Sequence, residues 1–263
     1  MGPVHPVGNF ALPDTGYYGA RSGQGHYVVC DAAPIGPDYL PGHAHGDIFS
    51  FELSLAGQRV VVDAGVHGYE ADAMRRYCRS TRAHNTVEID GEDQCEFWAA
   101  FRVARRGRPR DVAWREEGEG FSLEAWHDGY ERLPGRPRHR RRFRWHSQGA
   151  LLVRDRVEAS RPVRSCSRLH LHPACEVREL TAAGALVVHP AGTFRVAFAG
   201  PGALSVDTSP RCSEFGREVE GRDLVYTSRG AQLDSGFALV HEAADLRYEL
   251  AHGAVVGGAR LPV

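Results

Sequence analysis

Apolar and polar positions alternate with a period of two along much of the chain. Phe49, Phe51, Leu53 and Leu55 fall on one side, Ser50, Glu52 and Ser54 on the other, and Gly57 ends the run. This is the pattern of a strand with one buried face. Arg59 to Val62 follow as a short, nearly continuous apolar strand, so a hairpin is predicted around Ala56-Gly57. Further strands are predicted at 26–30, 86–89, 121–126, 151–157, 167–171, 194–198, 224–227, 237–241 and 246–250. Asp90-Gly91, Pro134-Gly135, Gly200-Pro201-Gly202 and Glu220-Gly221 separate them at short intervals. Many short strands with such punctuation predict an all-β fold, a large antiparallel β-sandwich. Helical periodicity is confined to Glu70–Tyr77, and there is neither an internal repeat nor a low-complexity linker. Residues 1–263 are therefore read as one domain, with a smaller C-terminal sheet expected from about 201 to 263.

Composition narrows the classes of function. With 263 residues, 42% hydrophobic and 25% charged, the chain is an ordinary globular protein and not a disordered or collagen-like one. Its 32 basic and 33 acidic residues leave a formal charge of -1, so it has no general positive field for a nucleic acid. All the basic residues are Arg, a bias read as compositional. The basic run Arg136–Arg144 is read as a solvated edge strand whose charges block aggregation. The six cysteines form no Cys-x-x-Cys pair and read as reduced core thiols. No stretch approaches 18 uninterrupted apolar residues, so no membrane span is expected. No signal peptide is visible, which implies a cytoplasmic protein as written, or a periplasmic or secreted one if the chain is cut from a longer precursor.

The densest group of ligand-type residues is His43-Ala44-His45-Gly46-Asp47, with Asp63 after the hairpin and His84 before the next strand. In extended chain, residues two apart share a face, so His43 and His45 can present both imidazoles together. Two imidazoles and a carboxylate converging from three segments would suit zinc; the alternative is that each His caps or hydrogen-bonds a loop. A cupin-like site ranks low, because Glu52 follows His45 by 7 residues (52 - 45 = 7), further than that arrangement needs. His170 and His172 form a second pair two apart, with no acidic third ligand placed by the sequence. There is no Gly-x-Ser-x-Gly elbow, and a chain without Lys has no phosphate-binding Gly-x-x-x-x-Gly-Lys loop.

The stretch from Gly42 to Leu53, Val-Val-Val-Asp-Ala-Gly ending at Gly65, Tyr69, and Arg79-Ser-Thr-Arg-Ala-His-Asn-Thr-Val-Glu-Ile-Asp-Gly91 together resemble the C-terminal β-domain of the heparinase II/III-like polysaccharide lyases. Thr15 to Gly23 upstream, with His127-Asp-Gly-Tyr130 and His139-Arg-Arg downstream, extend the resemblance over about residues 10–160. The resemblance implies a zinc held by His45, Asp63 and His84, with His43 facing a substrate cleft lined by Tyr69 and Tyr77. It also implies β-elimination on a uronic-acid-containing polysaccharide: the C5 proton is removed, the neighbouring carboxylate is neutralised and the 4-O-glycosidic bond leaves. Arg79 or Arg82 could neutralise the carboxylate, because a guanidinium fits it bidentately. His43 could serve as base or acid, imidazole being a group that titrates near working pH. His127 and Tyr130 are expected at the border of the cleft. Family members carry an N-terminal α/α-toroid that supplies further catalytic groups; the sequence as given begins at the β-domain, as an excised domain, a truncated gene model or a stand-alone protein would, so a separate toroid domain or protein is an expected partner alongside the acidic polysaccharide. The alternative function is a non-catalytic carbohydrate-binding or assembly module that keeps the zinc site, with Trp98, Trp114, Trp126 and Trp145 as candidates for stacking on sugars.

Overall fold

The computed structural model describes residues 6–190 and 192–244, and the backbone alone of 246–249 and 254–257. Five strands, β1 (Gly8–Leu12), β2 (Tyr17–Arg21), β3 (Tyr27–Asp31), β4 (Phe51–Leu55) and β5 (Gln58–Val61), form one antiparallel sheet in chain order. The β4–β5 hairpin turns at the predicted dipeptide, with Ala56 and Gly57 both at positive φ (47° and 77°), the left-handed pair whose twist matches that of the strands. Phe49, expected inside the strand, precedes it at φ 65°, and its carbonyl accepts a hydrogen bond from Arg141 Nη1 at 2.9 Å.

The connection to the second sheet carries the one α-helix among the described residues, α1 (Ala73–Arg79), which starts three residues later than predicted. Asp72 caps it, its carboxylate accepting from Arg75 N at 2.7 Å. β6 (Val87–Ile89) follows, then the two-stranded pair β7 (Phe97–Ala99) and β8 (Arg102–Val103). The larger sheet adds β9 (Pro109–Glu117), β10 (Gly120–His127), β11 (Arg138–His146), β12 (Ala150–His170), β13 (Glu176–Thr181), β14 (Gly184–His189), β15 (Gly192–Ala199), β16 (Gly202–Glu214) and β17 (Arg217–His241). Its order is β13-β14-β15-β17-β12-β11-β10-β9, with β16 on β17 and β6 on β12. Two predicted pairs of short strands prove to be single long ones: 151–157 and 167–171 lie in β12, and 224–227 and 237–241 lie in β17. β12 and β17 pair along their length through one irregularity between Glu158 and Val163. The apolar alternation lapses there because residues 158–162 are largely exposed and 159–162 bulge out of the ladder, which resumes at Val163.

The strands from Gly202 to His241 belong to the larger sheet; only β18 (Leu246–Glu249) and β19 (Ala254–Gly257) form a small separate sheet near the C-terminus. β11, expected at an edge, lies between β10 and β12. Its charges sit on the outward face, where Arg138, Arg140 and Arg144 pair with Glu131, Glu124 and Glu117, while Arg141, Phe143 and Trp145 point inward. The core fills the space between the sheets, with Phe51, Leu53 and Leu55 of the smaller sheet against Phe143, Val153, Phe237 and Leu239 of the larger. All six cysteines are buried and unbridged. Among the described residues, no helix is long and apolar enough to cross a membrane.

Candidate functional site

Two glycines let the segments of the site close on one another. A Cβ on Gly46 would meet Thr81 Oγ1 at 2.5 Å, and Gly46 N donates to Arg79 O at 2.9 Å. His45-Gly46-Asp47 is thereby laid on the turn that precedes His84. Gly65 takes φ 80°, and a Cβ there would stand 2.2 Å from Cys212 O; its N–H donates to Asp63 Oδ1 at 2.8 Å and orients that carboxylate. Asn85 anchors the third segment. Its side-chain amide donates to Phe51 O (2.8 Å) and Val62 O (2.9 Å), and its Oδ1 accepts from His170 N at 2.7 Å.

These anchors bring His84 Nδ1 to 2.6 Å from Asp63 Oδ2, with the His45 ring 5.3 Å from the His84 ring. His84 is fully buried and its Nε2 has no partner among the described residues. Burial alone would depress the His84 pKa, but the charge and hydrogen bond of Asp63, with Asp47 behind, push it up to about 9. Burial opposes ionisation of Asp63, yet the His84 cation and its hydrogen bond prevail and hold Asp63 at about 2. Burial and the neighbouring His84 cation lower His45 to about 3, leaving it neutral. Asp31 and Asp47 share a cavity of about 180 Å³ with Asp63, Tyr17 and Glu52. Burial and the Asp47 charge raise Asp31 well above the usual carboxylate range, and burial raises Asp47. Among the described residues no group of three or more His, Cys, Asp or Glu side chains is gathered closely enough to hold a metal ion as placed; the Asp63 carboxylate is taken by the His84 imidazole instead.

Of the other expected site residues, His43 and Tyr69 are exposed neighbours, their rings edge-on at 5.4 Å. Phe215 continues that surface, 5.5 Å from Tyr69. Tyr77 turns toward β16, its hydroxyl donating to Pro210 O at 3.5 Å; burial pushes it up to about 12, so it stays protonated. Arg82 is exposed. Arg79 is only 2% exposed, and its guanidinium donates to the carbonyls of Ala44, Ala99 and Ala100. His127 and Tyr130 are fully buried, away from any surface that a polysaccharide could touch. Tyr130 Oη donates to Val87 O at 2.6 Å. His127 stands 3.2 Å from His139, which contacts Asp155 at 2.8 Å. His170, of the second His pair, is buried and paired with Asp223 at 2.9 Å, an acid the sequence does not place beside it.

Sequence reasoning missed Asp31, which ends β3 beside the site, and the anchoring role of Asn85. Asp31 follows the buried Cys30 at the end of an alternating run, and strand-end acids carry little signal alone. The pairing of Arg141 with Asp155, at 2.7 and 2.8 Å, was also illegible, because Arg141 sits in a run of exposed arginines.

Residues 5–248 match the family model described as Heparinase II/III-like, C-terminal. Comparison with curated proteins finds no match. Among solved structures, the chain is similar to heparan sulfate lyase HepC from Pedobacter heparinus (TM-score 0.74, 20% identity, 94% of this chain and 38% of that one). It is also similar to a structure titled heparinase III (TM-score 0.70, 17% identity, 86% and 35%). A 4-alpha-glucanotransferase from Thermococcus litoralis shares the fold more loosely (TM-score 0.52, 12% identity, 89% and 39%). The chain thus spans about two fifths of the length of the solved lyases that it matches. With the family model covering nearly its whole length, the chain belongs to the heparinase II/III-like C-terminal domain family.

Proposed function

We propose that this domain forms one side of the active site of a lyase that cleaves uronic-acid-containing polysaccharide by β-elimination, with a zinc ion held by His45, Asp63 and His84. The observation that carries this reading is His84: a buried imidazole paired through Nδ1 to an ionised carboxylate, beside a neutral His45, with Nε2 lacking any partner among the described residues. Two imidazoles and a carboxylate are a donor set that suits zinc. Bound zinc would supply the positive charge that now resides on the His84 proton, and would clamp the three segments together.

The chemistry on the sugar then falls to exposed side chains of this chain. His43 takes the C5 proton as the C4–C5 double bond forms and the bond from C4 to the bridging oxygen breaks. Tyr69 donates its hydroxyl proton to that oxygen, and Arg82 offsets the uronate carboxylate. Tyr77 lies deeper and supports the wall. The other wall would come from a toroid domain or protein, in keeping with the 38% of HepC that this chain covers. The name of that relative, a heparan sulfate lyase, supports an acidic polysaccharide as the substrate class.

Zinc per chain, measured by elemental mass spectrometry on undialysed protein, tests the metal, and the ultraviolet-absorbing unsaturated product tests the reaction, with and without a toroid partner. One zinc per chain, lost in His84→Ala, is expected. Absence of zinc after supplementation, together with no product in either format, would defeat the reading. A non-catalytic carbohydrate-binding module is the second reading, favoured by the exposure of Trp98 (60%) and Phe215 (68%). Glycan binding without product would select it.

A further inference from the structure

The short helix α1 carries two arginines whose buried guanidinium groups touch no carboxylate among the described residues. Arg75 is 1% exposed and Arg79 2%. Among the described residues their guanidinium hydrogen bonds all go to main-chain carbonyls: Arg75 to Gly42 and Ala100, Arg79 to Ala44, Ala99 and Ala100. Carbonyls satisfy N–H groups but leave the charge uncancelled, and a buried charge is costly unless an opposite one accompanies it. One nitrogen of each guanidinium, Arg75 Nη1 and Arg79 Nη2, is buried with no acceptor among the described residues.

Arg79 lines a cavity of about 400 Å³ together with Arg76, Asp93, Phe97, Trp98 and Ala100. Asp93 is the one acid in that lining, and its Oδ1 is taken by Thr81 N–H at 2.7 Å. The Arg79 guanidinium lies over the Phe97 ring at 4.6 Å, and Arg102 lies over Trp98 at 4.9 Å. The cavity therefore offers two guanidinium groups against one carboxylate, already engaged by Thr81, beside an exposed indole. We propose that it is an anion subsite, in which Arg76 and Arg79 bind a sulfate or carboxylate substituent of a sugar chain while the sugar ring packs on Trp98. The link between Arg79 Nε and Ala44 O at 2.9 Å sets the subsite directly behind His43 and His45, so a chain engaged at the reaction site can carry an anionic group into it. The sugar as bearer of the anion rests on the proposed function; the affinity for an anion does not.

The test is the tryptophan emission of the whole chain, titrated with a sulfated uronate hexasaccharide, its desulfated counterpart and inorganic sulfate at constant ionic strength. Trp98→Phe assigns the signal. Wild type is expected to bind the sulfated oligosaccharide, with inorganic sulfate competing, and Arg76→Gln, at an exposed position, to weaken binding about tenfold. Arg79→Gln, checked for folding by circular dichroism, should weaken it further. Equal binding of the desulfated oligosaccharide, still sensitive to Arg76→Gln, would identify the carboxylate as the anion recognised. Unchanged affinity in Arg76→Gln and folded Arg79→Gln would overturn the subsite even if zinc and product are found. Sulfate-sensitive binding without zinc or product would uphold it while the lyase reading falls.

Discussion

Replacing Asn85 should destabilise the sandwich and the site together, because one side chain satisfies main-chain groups from three segments. Asn85→Ala removes the bonds to Phe51 O, Val62 O and His170 N and leaves three buried backbone groups unpaired. Each such group costs about 1–3 kcal/mol, so about 3 kcal/mol is the lower expectation with all three left unpaired. In a domain of this size that corresponds to a fall in melting temperature of roughly 6–12 °C. Asn85→Asp keeps the acceptor toward His170 N but turns an oxygen toward two carbonyls. Ionising the new carboxyl there is unfavourable, so its folded pKa rises above the unfolded value of about 3.9. When protonated, that carboxyl can still donate to one carbonyl, so the variant keeps more stability below the unfolded value and loses it as pH rises through the folded pKa. Urea denaturation of wild type and both variants at pH 5 and pH 8 reads this directly. A cost under about 1 kcal/mol for Asn85→Ala, or a stability gap between wild type and Asn85→Asp that does not grow with pH, would refute the reasoning.

The other predictions concern metal, acid stability and core. His45→Ala and His84→Ala should each abolish bound zinc and lower the melting temperature of zinc-supplemented protein toward that of the chelated form, since a ligand that binds only the native state adds stability by mass action; unchanged zinc in both would refute the ligand assignment. Burial opposes ionisation of Asp155, but Arg141 and His139 hold its carboxyl far below the usual range, so its contribution is present above about pH 4 and is lost as pH falls. Asp155→Asn, which strands the Arg141 guanidinium, should cost about 3–5 kcal/mol near neutrality, with the gap to wild type narrowing in acid; denaturant melts from pH 7 to pH 3 would show it. Phe237→Ala, between Phe51 and Phe198 in the core, should cost about 3–5 kcal/mol with an unchanged denaturant slope.

How much was legible depended on whether a residue's neighbours lie on its own strand. The β4–β5 hairpin could be read because both faces of β4 alternate locally and Ala56-Gly57 supplies the turn. The length of β12 and β17 could not, since β12 is exposed and bulged between Glu158 and Val163, and side-chain hydrophobicity does not report that the backbone pairing resumes beyond it. The ligand-type cluster was legible as residue types at strand ends: His84 pairs with Asp63 and the His45 ring lies beside it, though the three are not gathered as a metal-ligand set. Arg79, His127 and Tyr130 look from sequence like polar residues beside a cleft. Their burial depends on what other segments offer: carbonyls at 44, 99 and 100 for Arg79, His139 for His127 and Val87 O for Tyr130. None of those partners is near in sequence, so nothing local distinguishes a buried polar residue from an exposed one.

The neighbouring residues His84 and Asn85 show how scaffold and candidate chemistry are divided. His84 closes a 3-10 turn in extended conformation, at φ -125° and ψ 157°, and in extended chain successive side chains point to opposite sides. The His84 imidazole accordingly meets Asp63, while the Asn85 amide enters the space between the sheets and ties β4 to the ends of β5 and β12. The imidazole cannot shift without pulling on an amide that satisfies three main-chain groups. The rigidity of His84 is thus supplied by the core, and its charge by the aspartates on the other side. A cation arriving at Asp63 would meet an imidazole already desolvated and oriented, and would have to displace its proton and draw the ligand side chains closer than they stand.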